Sequence, residues 1–378
     1  MSAKENKIFS KVSLMSTNSG KKIIKQVLLQ EQGYKQYSKY KVQSEKEFAE
    51  FTKRFLLSLH QKLISDPNPK ATMKKFVGEI KANDLSLDDS KIDSVRKRLS
   101  NPDVLADRVQ RILNSNFVKM TFPVLTALID SASDFYKEPV SKEVRNAIVD
   151  GHLIAIDLSE PMDRIMDADE DIEFLDDYKL MNPYILEIAR HKISIGGDAV
   201  LKAFEDGFKD ARTGQYIDAR LKLKPESISD ENMIGCYKKY RAVMGTAGRN
   251  MALNLPPLND IFHLGMAKAA ECVGCGNEME DAIVTGGIKI PSWPLYYSLV
   301  TKNVEMAFEL TLDKSEIYLD EARTALKMLP DEVTIKPFLK FLFLTVSHYN
   351  HYWFNEMKRR DLFPYFQKNL SISIKNSK

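Results

Sequence analysis

Lys209, Arg212, Tyr216, Arg220 and Lys224 follow one another at intervals of 3, 4, 4 and 4, so a continuous helix lines them up as a basic stripe carrying one aromatic ring. Gly214, inside the run, argues against an unbroken helix there. A second run, Tyr237-Lys238-Lys239-Tyr240-Arg241 followed by Gly245-Thr246-Ala247-Gly248-Arg249, contains no acidic residue and has a local net charge of +4. Lysine and arginine neutralise phosphates, and tyrosine rings stack on unpaired bases without demanding a sequence. Together they suit a single-stranded nucleic acid, whereas charge alone is equally explained by a solvated helix face.

A third segment, Ile288-Lys289-Ile290-Pro291-Ser292-Trp293-Pro294-Leu295-Tyr296-Tyr297-Ser298-Leu299, reads as a turn feeding an aromatic-rich helix, with Pro294 suited to the first helical turn. Tyr296 or Tyr297 would offer a stacking ring, and Ser298 a hydroxyl donor to phosphate or sugar. The alternative places both tyrosines in the core with satisfied hydroxyls.

Other chemistries are poorly supported. Cys272-Val273-Gly274-Cys275 has the spacing of half a zinc site, but His348 and His351 stand far away in sequence, and Cys272 ends an apolar helical run, so packing is the expected role. Asp167-Ala168-Asp169-Glu170-Asp171 imitates the start of a calcium-binding loop, yet Ile172 and Tyr178 occupy the places of its glycine and bidentate glutamate. No phosphate-binding glycine loop, dinucleotide fingerprint, nucleophile elbow or zinc-protease pair occurs. No enzyme activity, metal or cofactor is expected.

The elements that must carry these residues are helical. Among 378 residues, 44% are hydrophobic and 28% charged, the composition of a globular chain with room for two or three domains. Three cysteines fit a reducing compartment, and no apolar stretch approaches the about 18 residues of a membrane span. Residues 1–46 carry a net charge of +7, and residues 157–177 one of −9. Residues 1–44 lack a helical stripe and read as an extended basic arm. A helix then starts near Ser44, with Glu47 completing a capping box and Phe48, Phe51, Phe55, Leu59 and Leu63 on one face. Asn101-Pro102 marks another start, and a helix is expected over 141–156. The acidic segment 157–177 is expected to include a surface loop because of Pro161 and its crowded carboxylates. Helices resume over 184–193, 198–211, 231–244, 258–272, 295–310, 315–328 and 338–358, and strand signals are scarce. The expected architecture is all-α, with two helical lobes and a cleft between them: an arm over 1–44, lobes over 45–235 and 236–360, and a second arm over 361–378.

The 288–299 segment resembles the central motif of the nucleoproteins of non-segmented negative-strand RNA viruses. That motif runs from an aromatic through a Tyr-Pro-Leu-Leu-Trp-Ser core to Ala-Met-Gly. Ile288 takes the first aromatic place and Trp293 that of the tyrosine; Pro294, Leu295 and Ser298 match identically, Tyr297 stands for the tryptophan, and Val300-Thr301-Lys302 replaces Ala-Met-Gly. The resemblance implies a two-lobed helical protein that clamps genomic RNA in the cleft and exchanges its terminal arms with neighbouring copies. RNA would lie along Lys209, Arg212, Arg220, Lys238, Lys239, Arg241 and Arg249, with Tyr216, Tyr240, Tyr296, Tyr297 and Ser298 nearby. A viral polymerase or phosphoprotein would be a further partner, and the virion nucleocapsid and host cytoplasm the location. Two other readings compete: a helical interaction protein that recruits a basic partner through 157–177, and the capsid protein of a flexible filamentous virus.

Overall fold

Fourteen α-helices and two short 3-10 turns, with no strand, make up the computed structural model over the described residues, 31–113, 116–137, 139–166 and 174–376. The all-α class is therefore as expected. Helix α1 spans Glu31–Ser65, so the part of the expected arm that is described, 31–44, is helical. Ser44 does not cap a helix; it is buried mid-helix, and Gln43 Nε2 donates to Glu47 Oε1 at 3.0 Å. The early start has a tertiary cause. A Cβ on Gly33 would lie 2.4 Å from the Pro337 carbonyl oxygen, Gln36 Nε2 donates to the Thr334 carbonyl at 3.0 Å, and the Tyr34 and Phe341 rings are 5.8 Å apart. Residues 1–30, most of the expected arm, lie outside the described residues.

The chain divides into two compact units. One comprises Tyr37–Asp206 and Arg249–Asn259; the other comprises Gly207–Gly248 and Asp260–Lys378 together with residues up to Gln36. Residues 207–235, expected with the N-terminal lobe, thus group with 236–248.

The first unit contains the rest of α1 and helices α2 (Pro69–Ile80), α3 (Asp89–Leu99), α4 (Pro102–Leu113), α5 (Asn116–Tyr136), α6 (Lys142–Met166) and α7 (Leu175–Ser194). The predicted apolar face of α1 forms core: Phe51, Phe55, Leu59 and Leu63 are fully buried. Asn101 Oδ1 accepts from the Asp103 amide at 2.9 Å, closing the predicted cap of α4. The expected break after 156 does not occur, because α6 runs through Pro161, which is buried, to Met166. Residues 167–173, the centre of the acidic segment, lie outside the described residues. Its end is not a surface loop: Asp176 pairs with Lys91 at 3.0 Å, and the fully buried Asp177 pairs with Arg98 and with Arg108 at 2.8 Å.

The second unit is built from the C-terminal part of α8 (Asp198–Leu223), most of α9 (Asp230–Met251) and α10 (Leu258–Thr285), and α11 (Trp293–Thr301), α12 (Val304–Lys327), α13 (Lys336–Arg359) and α14 (Phe363–Asn376). Gly214 does not interrupt α8. A Cβ there would lie 2.6 Å from the Lys239 amide nitrogen, so glycine is what lets α8 and α9 touch backbone to backbone. The expected 295–310 helix is split instead. Lys302 adopts a left-handed conformation, φ 58°, and Asn303 Oδ1 accepts from the Met306 amide at 3.1 Å to start α12. The described part of the expected C-terminal arm, 361–376, is largely helical, and Phe363 and Phe366 of α14 sit in a core with Phe308, Trp353 and Met357.

Candidate nucleic-acid interface

Two sequence runs about 50 residues apart meet in the second unit. Ser292 Oγ accepts from the Leu295 amide at 3.2 Å and caps α11, with proline in its first turn, so Trp293, Tyr296 and Tyr297 leave the same helix start. Tyr237 and Tyr240 come from α9, with ring centroids 5.2 Å apart. Tyr237 lies 5.7 Å from Trp293 and 6.0 Å from Tyr318 of α12; Trp293 in turn lies 5.8 Å from Tyr296 and 5.5 Å from Tyr297, stacked on the latter. Six aromatic rings are therefore contiguous. Tyr237, Trp293 and Tyr318 are buried, whereas Tyr240, Tyr296 and Tyr297 are half-buried.

Ammonium groups border the rings. Lys314 Nζ lies 4.6 Å from the Trp293 ring centroid and 5.4 Å from that of Tyr318; Lys239 Nζ is 5.6 Å from Tyr240, and Lys268 Nζ is 5.1 Å from Tyr318. Burial pushes the Tyr297 phenol up to about 12 and raises that of Tyr237 well above its ordinary value, so both rings stay neutral.

Tyr237 and Tyr240 also line a polar pocket of about 10 Å³, room for one water, together with Asp218, Cys236, Lys239, Glu278, Asp281 and Lys289 among others. Glu278 Oε2 accepts from the Trp293 amide at 3.0 Å, and its carboxyl also bonds to Tyr237. Burial raises Glu278 to about 8, against the opposing effect of those two hydrogen bonds and of Lys289.

The other expected contacts separate into distinct roles. Lys209 and Lys238 are exposed on α8 and α9. Arg220 is exposed and donates to Asn232 Oδ1 at 3.4 Å, while Arg212 and Tyr216 are half-buried on the same continuous α8 stripe. Lys239 is bound inward, to Asp218 and to Gln215 Oε1 at 3.1 Å. Arg241 clasps the fully buried Glu271, at 2.6 and 2.9 Å, and Lys268 joins it at 2.9 Å. Arg241 is thus committed to neutralising a buried carboxylate together with Lys268. Ser298 is 1% exposed and its hydroxyl is not presented to solvent. Arg249 belongs to the other compact unit.

Glu278, Tyr318 and Lys314 were missed in the sequence. Lys314 and Tyr318 stand four apart on one helix, a spacing that could have flagged them, whereas Glu278 looks like any acid in a mixed helix. Cys272 and Cys275 are fully buried; Tyr237 donates to Cys275 Sγ at 3.6 Å, and Asn350 Nδ2 donates to Cys272 Sγ at 3.2 Å. Among the described residues, no group of three or more His, Cys, Asp or Glu side chains is arranged to hold a metal ion, and no single helix is long and apolar enough to cross a membrane.

Comparisons with protein-family models, with curated proteins and with solved structures give no match.

Proposed function

We propose that this chain is an RNA-coating, self-assembling nucleoprotein of the kind found in negative-strand RNA viruses. The observation that carries the reading is the convergence of Tyr240, Tyr296 and Tyr297, from separate basic and aromatic runs, at the edge of one ring cluster bordered by lysines. Such an edge stacks unpaired bases of any sequence, while Lys209, Lys238 and Arg220 of the same unit supply charge for phosphates. The 10 Å³ pocket leaves no room for a metabolite-sized substrate, which favours binding along a surface over small-molecule catalysis at this place. Assembly of copies, and capture of a polymerase or phosphoprotein, belong to the same proposal.

The test is purification of the full-length chain in mild salt, with the 260/280 nm absorbance ratio and the mass by light scattering. A high ratio in a large, RNase-resistant particle is expected. A protein-like ratio at the mass of one chain, with no response to added single-stranded RNA at low salt, would overturn the proposal. Within a binding protein, Tyr297→Ala weakens RNA retention by about 1–3 kcal/mol for the lost stack. Lys238→Gln lowers the slope of log affinity against log salt by about 0.7.

A further inference from the structure

Helix α12 buries one face through Phe308, Leu312, Leu319 and Ala322, and its opposite face carries a second line of residues. Met306, Leu310, Asp313, Ile317, Asp320 and Thr324 follow at intervals of 4, 3, 4, 3 and 4; Leu310 is half-buried and the others are exposed, Ile317 to 56%. A single exposed apolar side chain is ordinary, but a line at this spacing has the form of a helix-pairing seam. Helix α1 carries a second such line. Lys39, Val42, Lys46, Ala49 and Lys53 follow at intervals of 3, 4, 3 and 4; all are exposed, Val42 to 50%.

We propose that α12 of one copy docks antiparallel on α1 of a second copy, with Asp313 and Asp320 facing Lys46 and Lys39 and with Ile317 packed on Val42. The proposal rests on the assembly part of the function proposed above and not on its RNA part. Each line repeats its charge every seven residues, about 10.5 Å along a helix, so the acidic and basic rows share a period. Their order fixes the direction. On α12 an acid is followed by its apolar neighbour four residues later and the next acid three after that, whereas on α1 a lysine is followed by Val42 or Ala49 after three and by the next lysine after four. Reversing one helix brings the two sequences of intervals into step.

The charges are available for the contact. Asp313, Lys46 and Lys53 form no ion pair among the described residues. Asp320 is paired with Arg323 at 2.8 Å, an exposed pair three residues apart that costs little to exchange. The flanking acids Glu309 and Glu321 are held within the chain by Lys358 at 3.1 Å and Lys268 at 2.7 Å. Glu50 is exposed beside the α1 line and is outnumbered there by the three lysines. A phosphate chain or an anionic membrane does not suit the α12 line, because Asp313 and Asp320 repel both. The contact uses different surfaces on the two copies, so each copy keeps one half free and copies add head to tail.

The test follows the mass of RNase-treated full-length protein by light scattering against concentration at low salt, with binding of a fluorescein-labelled oligouridylate measured alongside. The parent is expected to grow in mass with concentration and to lose that growth as salt is added. Asp313→Lys with Asp320→Lys, and separately Lys39→Glu with Lys46→Glu, hold the protein at the mass of one chain. All four substitutions in one chain exchange the charges across the seam and restore growth. A chain carrying Val42→Cys and Ile317→Cys tests the register without altering charge. Its three native cysteines are buried, so mild oxidation with diamide is expected to give a ladder of disulfide-linked copies on a non-reducing gel. A parent that stays at the mass of one chain, reversals that assemble like the parent, or the absence of the ladder overturns the seam. Assembly that follows the charge exchange in a protein without oligouridylate binding supports the seam and overturns the RNA reading instead. A parent that binds oligouridylate yet stays at the mass of one chain overturns the seam and leaves RNA binding standing.

Discussion

His152 is 2% exposed in the first unit, 3.0 Å from Asn250 Nδ2 and edge-on to the Phe204 ring. Burial lowers its pKa from 6.5 to about 3, so the folded chain holds it neutral with a ring nitrogen accepting from the asparagine. The unfolded chain then binds the extra proton first, and folding stability falls as pH drops below about 6.5. By pH 5 the loss from this group is about 2 kcal/mol. Urea unfolding at pH 7 and pH 5 measures it, and a His152→Gln chain should show a difference smaller by that amount. An unchanged difference would place the acid sensitivity elsewhere. The same scale separates cations that look alike in the sequence. Lys238 points to solvent, whereas Arg241→Glu would set a second carboxylate against the buried Glu271 and damage the fold before it reported on RNA.

Among the elements, one close dependence is the crossing of α8 and α9. Gly214→Ala would drive a methyl to 2.6 Å from the Lys239 amide and 3.0 Å from the Cys236 carbonyl oxygen, both backbone atoms that cannot step aside. The expected cost is about 1–3 kcal/mol in chemical unfolding. Gly78 in α2 is the control: a Cβ there meets nothing within 4 Å, so Gly78→Ala should stabilise by about 0.5–1 kcal/mol. Equal effects at the two positions would show that helix propensity, not close approach, governs Gly214. These helices also show where periodicity is legible. The apolar face of α1 from Phe51 to Leu63 and the start of α11 at Trp293 follow from local pattern and cap chemistry. Local rules misplace the continuation of α6 through Pro161 and of α8 through Gly214, because burial against neighbouring helices outweighs the propensity of one residue.

For the whole molecule, α14 decides between an arm and a structural helix. Phe363 and Phe366 are buried with Phe308 and Met357, and burying each ring is worth about 1.5–3 kcal/mol. Deleting residues 361–378 should lower the melting temperature by circular dichroism and promote aggregation. An unaltered melt would return the segment to the role of a dispensable arm. The sequence alone determined the all-α class, since turn punctuation and 3.6-residue periodicity are local properties, and it supplied both halves of the aromatic cluster as separate runs. Only the tertiary structure decided that the two runs meet, that Glu278 sits between them, and which cations face solvent. Lys239 finds Asp218 across 21 residues and Arg241 finds Glu271 across 30. A charge is written in the residue, but its neutralisation depends on a partner that folding brings to it.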